Sequence, residues 1–282
     1  MPSLYTHYLF GTESIESFPE DLKSVVAEGE QQFLLGLQGP DLFFYGSIFH
    51  DEKALAFGSR LHNLPVHKSL EQMLKGFSAE IGNPKGALSS SALAYILGYI
   101  GHFTLDSSCH PYVYSVQENE ATHLALETDF DNYLLRKKGC KPHKVKLYKI
   151  CCPADVITIL TAEMAYSAYQ PEISLECVES CVKDLRFVRR LMRTPTALRF
   201  KLVKAGMERA GIYERFYGMM TPPPTKENPL SLRWKEKPDD ALQQLEKCFA
   251  RARELYPEYI RDFMKSLEKG DPWPEAFYKT FE

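Results

Sequence analysis

The sequence lacks the features that mark several common protein classes. Its seven Cys are an odd number with no C-x-x-C pair, so the disulfide framework of a small secreted domain is not expected. No GxSxG, P-loop or GxGxxG pattern occurs, which argues against acyl transfer, use of nucleoside triphosphates and hydride transfer. Lys and Arg (34) nearly balance Asp and Glu (37), and the net charge of −3 gives no overall basic field for nucleic acid.

The N-terminal residues also lack the pattern of a secretory signal. Residues 1–20 contain no basic region followed by an apolar core. Residues 86–105 are free of formal charge, as a membrane span would be, but they include several Ser and Gly residues and His102. We therefore expect a buried core helix there, and a cytoplasmic protein without stable membrane insertion. No basic amphipathic helix stands out along the chain.

Helical spacing of apolar residues dominates the chain, and no alternating runs are joined by an Asn-Gly or Asp-Gly turn, so we predict an all-α fold. We predict a single domain over residues 1–282, with a helical C-terminal half at 150–282. Residues 217–238 form the longest predicted connection, and a helix break is predicted before Pro257. The predicted helices span residues 4–10, 19–29, 52–57, 67–79, 90–109, 121–136, 153–168, 172–191, 195–211, 238–254 and 256–268.

The most informative segment lies in the predicted helix 90–109. His102, Asp106 and His110 recur at i, i+4 and i+8, so one helical face presents an imidazole, a carboxylate and a second imidazole. With 8 His and 37 acidic residues, one H-x-x-x-[DE] pair is expected about once by chance, but this chained form only about 0.01 times. The pattern indicates a metal-binding face in which Asp106 bridges two ions. Pro111 is expected to end the helix, so that His110 turns towards a second metal.

A second ligand pair follows within the next helix. His123 and Glu127 lie four residues apart and therefore on one face. Neutral imidazole with carboxylate suits Zn²⁺ at a catalytic rather than a structural site. Upstream, the tight turn around Gly39 and Pro40 presents Asp41 rigidly. Burying so many ionisable groups on apolar helices would be costly without ions, so we predict a zinc site within residues 1–135.

Five short pieces follow, in order and approximate spacing, the ligand series of a known family: YTH at 5–7, LQGPD at 37–41, RLH at 60–62, GHFTLDSSCHPY at 101–112 and H-x-x-x-E at 123–127. In these pieces the chain resembles the zinc-dependent phospholipase C family, which is related to fungal single-strand-specific nucleases that also act as 3′-nucleotidases. The resemblance implies an all-α domain, a cluster of three zinc ions and hydrolysis of phosphodiester bonds. It covers residues 1 to about 135.

The resemblance also implies a role for each matched residue. One zinc would be bound by Asp41, His62, His102 and Asp106, a second by His110, His123 and Glu127, and a third by His7 with the bridging Asp106. Asp41 would in addition be catalytic, by orienting or deprotonating the attacking water. His50, His67 and His143 match none of the pieces and are interpreted as ordinary side chains.

Two departures from the family concern the third zinc and the head-group pocket. In secreted members an N-terminal Trp completes the third zinc, whereas this chain has no Trp before Trp234, so two or three ions are expected. In choline-handling bacterial members an aromatic residue follows the matched aspartate, but here Leu42 does. The next residues, Phe43, Phe44 and Tyr45, would offer a substitute wall for the substrate.

We interpret the chain as a zinc-dependent phosphodiesterase of the phospholipase C type, in which metal-activated water attacks phosphorus. The substrate would be a phospholipid or a small phosphodiester. Two alternatives stay open. A nuclease or 3′-nucleotidase on the same metals would need a stacking surface for a base, for which residues 43–45 or Trp234 are available, and nucleic acid would be a partner only in that case. The second alternative is a protein that binds metal without catalysing a reaction.

Overall fold

The computed structural model describes residues 4–46, 52–81, 88–221 and 238–281. These residues are mostly helical and contain no β-strand, which confirms the predicted all-α fold; an isolated bridge joins Arg193 and Thr221. Trp234, with most of the predicted 217–238 connection, lies outside the described residues. The α-helices are α1 (Leu4–Ser14), α2 (Glu20–Glu28), α3 (Glu30–Gly36), α4 (Leu42–Gly46), α5 (Glu52–His62), α6 (Val66–Ile81), α7 (Ser90–Val116), α8 (Glu120–Lys137), α9 (Leu147–Ile150), α10 (Val156–Tyr166), α11 (Leu175–Met192), α12 (Ala197–Arg209), α13 (Tyr213–Phe216) and α14 (Pro238–Lys269).

α7 is the central helix and packs against α1, α2, α3, α6, α10 and α14. It begins after Ser89, whose side chain accepts a hydrogen bond from the backbone N–H of Ala92 (3.2 Å). Every residue from Ala94 to Asp106 is buried, so the uncharged segment of the sequence is the interior of a core helix. Among the helices of the described residues, none combines the length and apolarity needed to cross a bilayer.

Pro111 and Pro257, which the sequence pattern predicts as helix ends, lie inside α7 and α14. Proline in a helix interior removes one N–H donor and costs about 3 kcal/mol. Both helices nevertheless continue to bury apolar side chains beyond the proline, including Val113 in α7 and Ile260 in α14. Packing against the rest of the protein outweighs the local loss, and the two predicted breaks are wrong.

α3, which the sequence pattern misses, crosses α7 with the two backbones in contact. A Cβ added at Gly36 would lie 2.2 Å from the carbonyl oxygen of Tyr95, and one at Gly98 would lie 2.2 Å from that of Phe33. Only glycine permits this approach. The crossing places the 3₁₀ turn Gly39–Asp41, which comes soon after α3, directly against α7.

A large apolar cluster joins residues from both halves of the chain, from Leu4 to Phe281. A smaller one, here called the methionine cluster, consists of Val188, Met192, Met207, Phe216, Met219 and Met220. Leu124 of α8 packs against it. The methionine cluster thus ties α11 and α12 to the helix that carries His123 and Glu127.

Candidate metal centre

The predicted face of α7 lies inside the protein. Asp106 is 0% exposed, and its Oδ2 lies 3.0 Å from Nε2 of His102 and 3.9 Å from Nε2 of His110. The helix continues through Pro111, so the prediction that His110 lies at a helix end is wrong. All three side chains stay on one helical face.

Asp41 and His62 join His102 and Asp106 in a first group of ligand atoms. One N or O atom from each residue lies within 4.8 Å of the others. Oδ1 of Asp41 is 2.9 Å from Nε2 of His62 and 3.6 Å from Nε2 of His102. Four such atoms from imidazole and carboxylate could hold one Zn²⁺ ion, which prefers four ligands of this kind.

Gly39 lets the turn that carries Asp41 come this close to His102. Its φ is +53°, in the left-handed region that favours glycine. A Cβ at this position would lie 2.3 Å from Cδ2 of His102. Any other residue at position 39 must therefore displace the His102 ring or the turn.

Gly39→Ala is expected to lower the metal content of the purified protein by about one ion, because a displaced His102 ring loses its place in the first group. Gly139→Ala is the matched control, since Gly139 also has a positive φ (+74°) but nothing within 4 Å of an added Cβ. Both variants should lose about 1–2 kcal/mol from the left-handed backbone. Elemental analysis separates them, and full metal content in Gly39→Ala would contradict the close approach.

His110, His123 and Glu127 form a second group. One ligand atom from each lies within 4.8 Å of the others, and Nε2 of His123 is 2.7 Å from Oε1 of Glu127. α8 begins close by, where Asn119 and Thr122 cap the helix reciprocally. Three protein ligands are the number typical of catalytic zinc sites, which leave a position for water or substrate.

Each imidazole of the two groups is held through Nδ1 by an oxygen atom. The partners are the carbonyl of Gly58 for His62 (2.8 Å), the carbonyl of Leu37 for His102 (3.1 Å), the carbonyl of Phe281 for His110 (2.6 Å) and the side-chain oxygen of Gln117 for His123. Since these oxygens only accept, Nδ1 donates, and Nε2 of each ring is left to face the carboxylates. This is how metal-binding histidines are usually oriented.

Asp106 provides the test of whether a cation fits. Neither of its buried carboxylate oxygens receives a hydrogen bond among the described residues. Nε2 of His7 and Nε2 of His102 lie 3.2 Å and 3.0 Å away, but their geometry is not that of a hydrogen bond. Buried carboxylates are normally satisfied by several donors, and a cation between these atoms would satisfy them at once.

Burial and mutual attraction set the charges of the ligands. Burial lowers the pKa of His110 to about 3 and also lowers the pKa of His7 and of His123, so these rings are neutral at pH 7, the form that binds metal. Burial opposes ionisation of His102 and Asp106, but their attraction prevails: the pKa of His102 is raised and that of Asp106 is well below its usual range.

His7 lies beside the first group but belongs to neither. Its Nε2 is 3.2 Å from Oδ1 of Asp106, and its ring stacks on that of His102 with centroids 4.2 Å apart. These positions suit the third zinc that the resemblance implies, which stays a prediction. The N-terminal residues 1–3 lie outside the described part of the chain.

Asp131, to which the sequence pattern gives no role, fixes the start of α1 and with it His7. Its buried carboxylate accepts hydrogen bonds from the backbone N–H groups of Tyr5 (3.0 Å) and Thr6 (2.8 Å). Arg189 of α11 lies 3.8 Å away on the other side. The signal in the sequence was an acidic residue on α8 one turn after Glu127, in a stretch that is buried.

Residues 270–281, here called the C-terminal strap, cross both ligand groups. The N–H of Val66 donates to the carbonyl of Lys279 (3.0 Å), and the N–H of Phe281 donates to the carbonyl of His62 (3.2 Å). The carbonyl of Phe281 accepts from His110, and its buried ring packs against His62 and His102. Sequence patterns do not indicate this role, because a backbone carbonyl acts irrespective of its side chain.

Phe281→Ala is expected to weaken zinc binding about 10–100-fold, the usual effect of losing a partner that orients a ligand, since the ring anchors the carbonyl that holds His110. Phe277→Ala is the control. Phe277 is equally buried, and its carbonyl accepts from His67, which is not a predicted ligand. Both variants should lose about 3–5 kcal/mol of stability. Equal zinc affinities in a chelator competition would contradict the role of Phe281.

The predicted substrate wall is only partly available. Phe43 is fully buried and packs edge-on against Phe57 and Tyr166 in the core, so its assignment to the wall is wrong. Phe44 is half-buried and stacks on His62, with ring centroids 4.9 Å apart. Tyr45 is half-buried between the two apolar clusters, and burial raises the pKa of its hydroxyl.

Comparison with known proteins gives one match. A sequence model of a protein family, described as zinc dependent phospholipase C, matches residues 6–188. The matched range is more than half of the chain and includes every predicted ligand from His7 to Glu127, whereas α14 and the C-terminal strap lie beyond it. No curated protein and no solved structure matches the chain.

Proposed function

Because the chain belongs to the zinc-dependent phospholipase C family, we propose that it is a zinc-dependent hydrolase that cleaves a phosphodiester bond of phospholipids. The observation that carries the proposal is the environment of Asp106. Its two buried oxygens have no hydrogen-bond donor among the described residues and lie between imidazoles of both ligand groups. This arrangement suits two neighbouring cations better than a proton network.

The residues of the first group would hold one zinc, and those of the second group another. Zinc ions at these positions would supply Lewis acidity, which acidifies water and neutralises the charge of a phosphate during in-line displacement. Asp106, on α7, would link the two groups, because it lies close to His102 of the first and His110 of the second. Asp41 is the most exposed member of the first group, with 13% of its side chain accessible, and orients the attacking water.

The two alternative functions have less support from the described residues. A nuclease needs a free aromatic surface, but Phe43 is in the core and Phe44 already stacks on His62. A binding protein without catalysis would not need Asp41 within reach of solvent. Both alternatives remain as outcomes of the test.

The test combines elemental analysis with a substrate screen. The purified protein is expected to contain at least two zinc ions per chain and to hydrolyse an aryl phosphodiester and a phospholipid. Activity should disappear with a chelator and return when zinc is added back. Faster cleavage of single-stranded DNA or of a 3′-nucleotide would favour the nuclease, and zinc binding without any turnover would favour the binding protein.

A further inference from the structure

The charge of the chain is distributed very unevenly. Residues 132–154 and 185–207 together contain fourteen Lys and Arg and no Asp or Glu. The rest of the chain holds twenty basic against thirty-seven acidic residues. A chain with a net charge of −3 therefore concentrates its positive charge in two segments.

The two basic segments meet in the fold. Nη1 of Arg193, at the end of α11, donates to the carbonyl of His143 (2.8 Å) in the first segment, and α9 packs on α11. Burial and then the cations of Lys144, Lys141 and Arg193 lower the pKa of His143. The segments thus form one surface, here called the basic face.

Basic side chains of this face point to solvent. Those of the first segment are exposed at positions 141, 144, 146 and 149, and those of the second include Arg190 and Lys201. Arg199 is used differently, because it donates to the carbonyls of Arg190 (3.0 Å) and Arg193 (2.8 Å) and so ties the start of α12 to the end of α11. α12 is held firmly at the edge of the basic face.

Large apolar side chains are exposed among these charges. Leu198 and Leu202, one turn apart on α12, are 68% and 64% exposed, and Phe187 of α11 is 53% exposed. Lys201 lies beside the two leucines in the sequence and is also exposed. Apolar residues presented together with Lys and Arg are typical of helices that lie on an anionic membrane surface.

We propose that the basic face, with Leu198 and Leu202 of α12 at its edge, docks the protein on the surface of an anionic lipid bilayer. The inference deepens the proposed function, because it supplies the surface on which a phospholipid substrate is met. Positive charge attracts anionic head groups, and the leucines enter the boundary between head groups and acyl chains. The methionine cluster ties α12 to α8, which carries His123 and Glu127.

The exposed leucines favour a bilayer over nucleic acid as the partner. A phosphate backbone would be bound by the Lys and Arg residues alone, and aliphatic side chains would gain nothing from it. On a bilayer both features contribute, since apolar area and charge add to the binding strength. Removal of the leucines should therefore weaken binding to a bilayer but leave binding to nucleic acid unchanged.

The experiment measures co-sedimentation of the full-length zinc-loaded protein with vesicles of phosphatidylcholine alone or with about 30% phosphatidylglycerol. Two variants change the basic face: Leu198→Gln with Leu202→Gln, and Lys144→Glu with Lys146→Glu. The matched control is Ile157→Gln with Leu160→Gln on α10, where aliphatic residues are equally exposed (63% and 50%) but the charged neighbours in sequence are Asp155 and Glu163. Glutamine preserves helix propensity.

The wild type and the α10 control are expected to bind anionic vesicles, with binding that weakens at high salt. Each basic-face variant should bind at least about tenfold more weakly, because one loses charge near an anionic surface and the other loses apolar area that would be buried in it. All variants should hydrolyse a soluble aryl phosphodiester like the wild type, so a failure of docking and a failure of the proposed function remain distinguishable.

Three results would overturn the inference. They are absence of binding to anionic vesicles, equal binding to phosphatidylcholine alone, and loss of binding in the α10 control but not in the leucine variant. Binding of a DNA duplex that survives the leucine substitutions would assign the basic face to nucleic acid instead.

Discussion

Asp106→Asn is expected to abolish hydrolysis and to release more than one zinc ion per chain. The carboxylate lies within 3.2 Å of His7, 3.0 Å of His102 and 3.9 Å of His110, so its charge is shared by ligands of both groups. An amide has the same shape but no negative charge, and one of its two polar atoms is a donor. Metal content and turnover of an aryl phosphodiester measure the two effects.

Glu127→Gln is the matched control for Asp106→Asn. It is the same carboxylate-to-amide change at a buried position, but Glu127 belongs to the second group alone. It should therefore lose a single ion while the first group keeps its own. Circular dichroism should show the same helix content for both variants. Full zinc content in Asp106→Asn would exclude the shared role of Asp106.

Asp41→Asn is expected to lower kcat about 10²–10⁴-fold, the usual range for losing a positioned acid–base group, with a much smaller change in substrate binding. The other members of the first group are more enclosed than Asp41, as the accessible fractions of His62 (7%), His102 (0%) and Asp106 (0%) show. Asp41 is therefore the member best placed to contact a water beside the substrate. Steady-state kinetics on a soluble phosphodiester separate kcat from KM.

The comparison for Asp41→Asn is Asp262→Asn on the exposed surface of α14, which should match the wild type. Zinc content is measured on the same samples, because loss of an ion would lower kcat for a different reason. If Asp41→Asn keeps all its zinc and its kcat stays within about threefold of the wild type, Asp41 takes no part in the chemistry.

Periodicity predicted correctly that the three α7 residues share one helical face, because helix geometry is local. The spacing of His102, Asp106 and His110 requires a common face wherever the helix lies. Asp41 and His62 come from other elements, and only the order of short matching pieces linked them to that face. The glycine contacts between α3 and α7 bring Asp41 to the first group, and His62 of α5 joins it with Nε2 2.9 Å from Oδ1 of Asp41.

Sequence patterns could not predict three other structural features, and each has a physical reason. The continuation of α7 through Pro111 depends on packing, which outweighs local preference. The contact of Phe281 with His110 joins residues that are 171 positions apart through a main-chain atom. Leu198 and Leu202 have the spacing of core positions, and only the fold shows that they face solvent.

The C-terminal strap is synthesised after all of the predicted metal ligands. The predicted ligands end at Glu127, and about 150 further residues must be translated before Phe281 emerges, which takes roughly 8–30 s at 5–20 residues per second. During that interval the nascent chain carries every predicted ligand but not the segment that packs over His62 and His102 and holds His110. The contacts that cover His62 and His102 and hold His110 therefore form only after every predicted ligand has been synthesised.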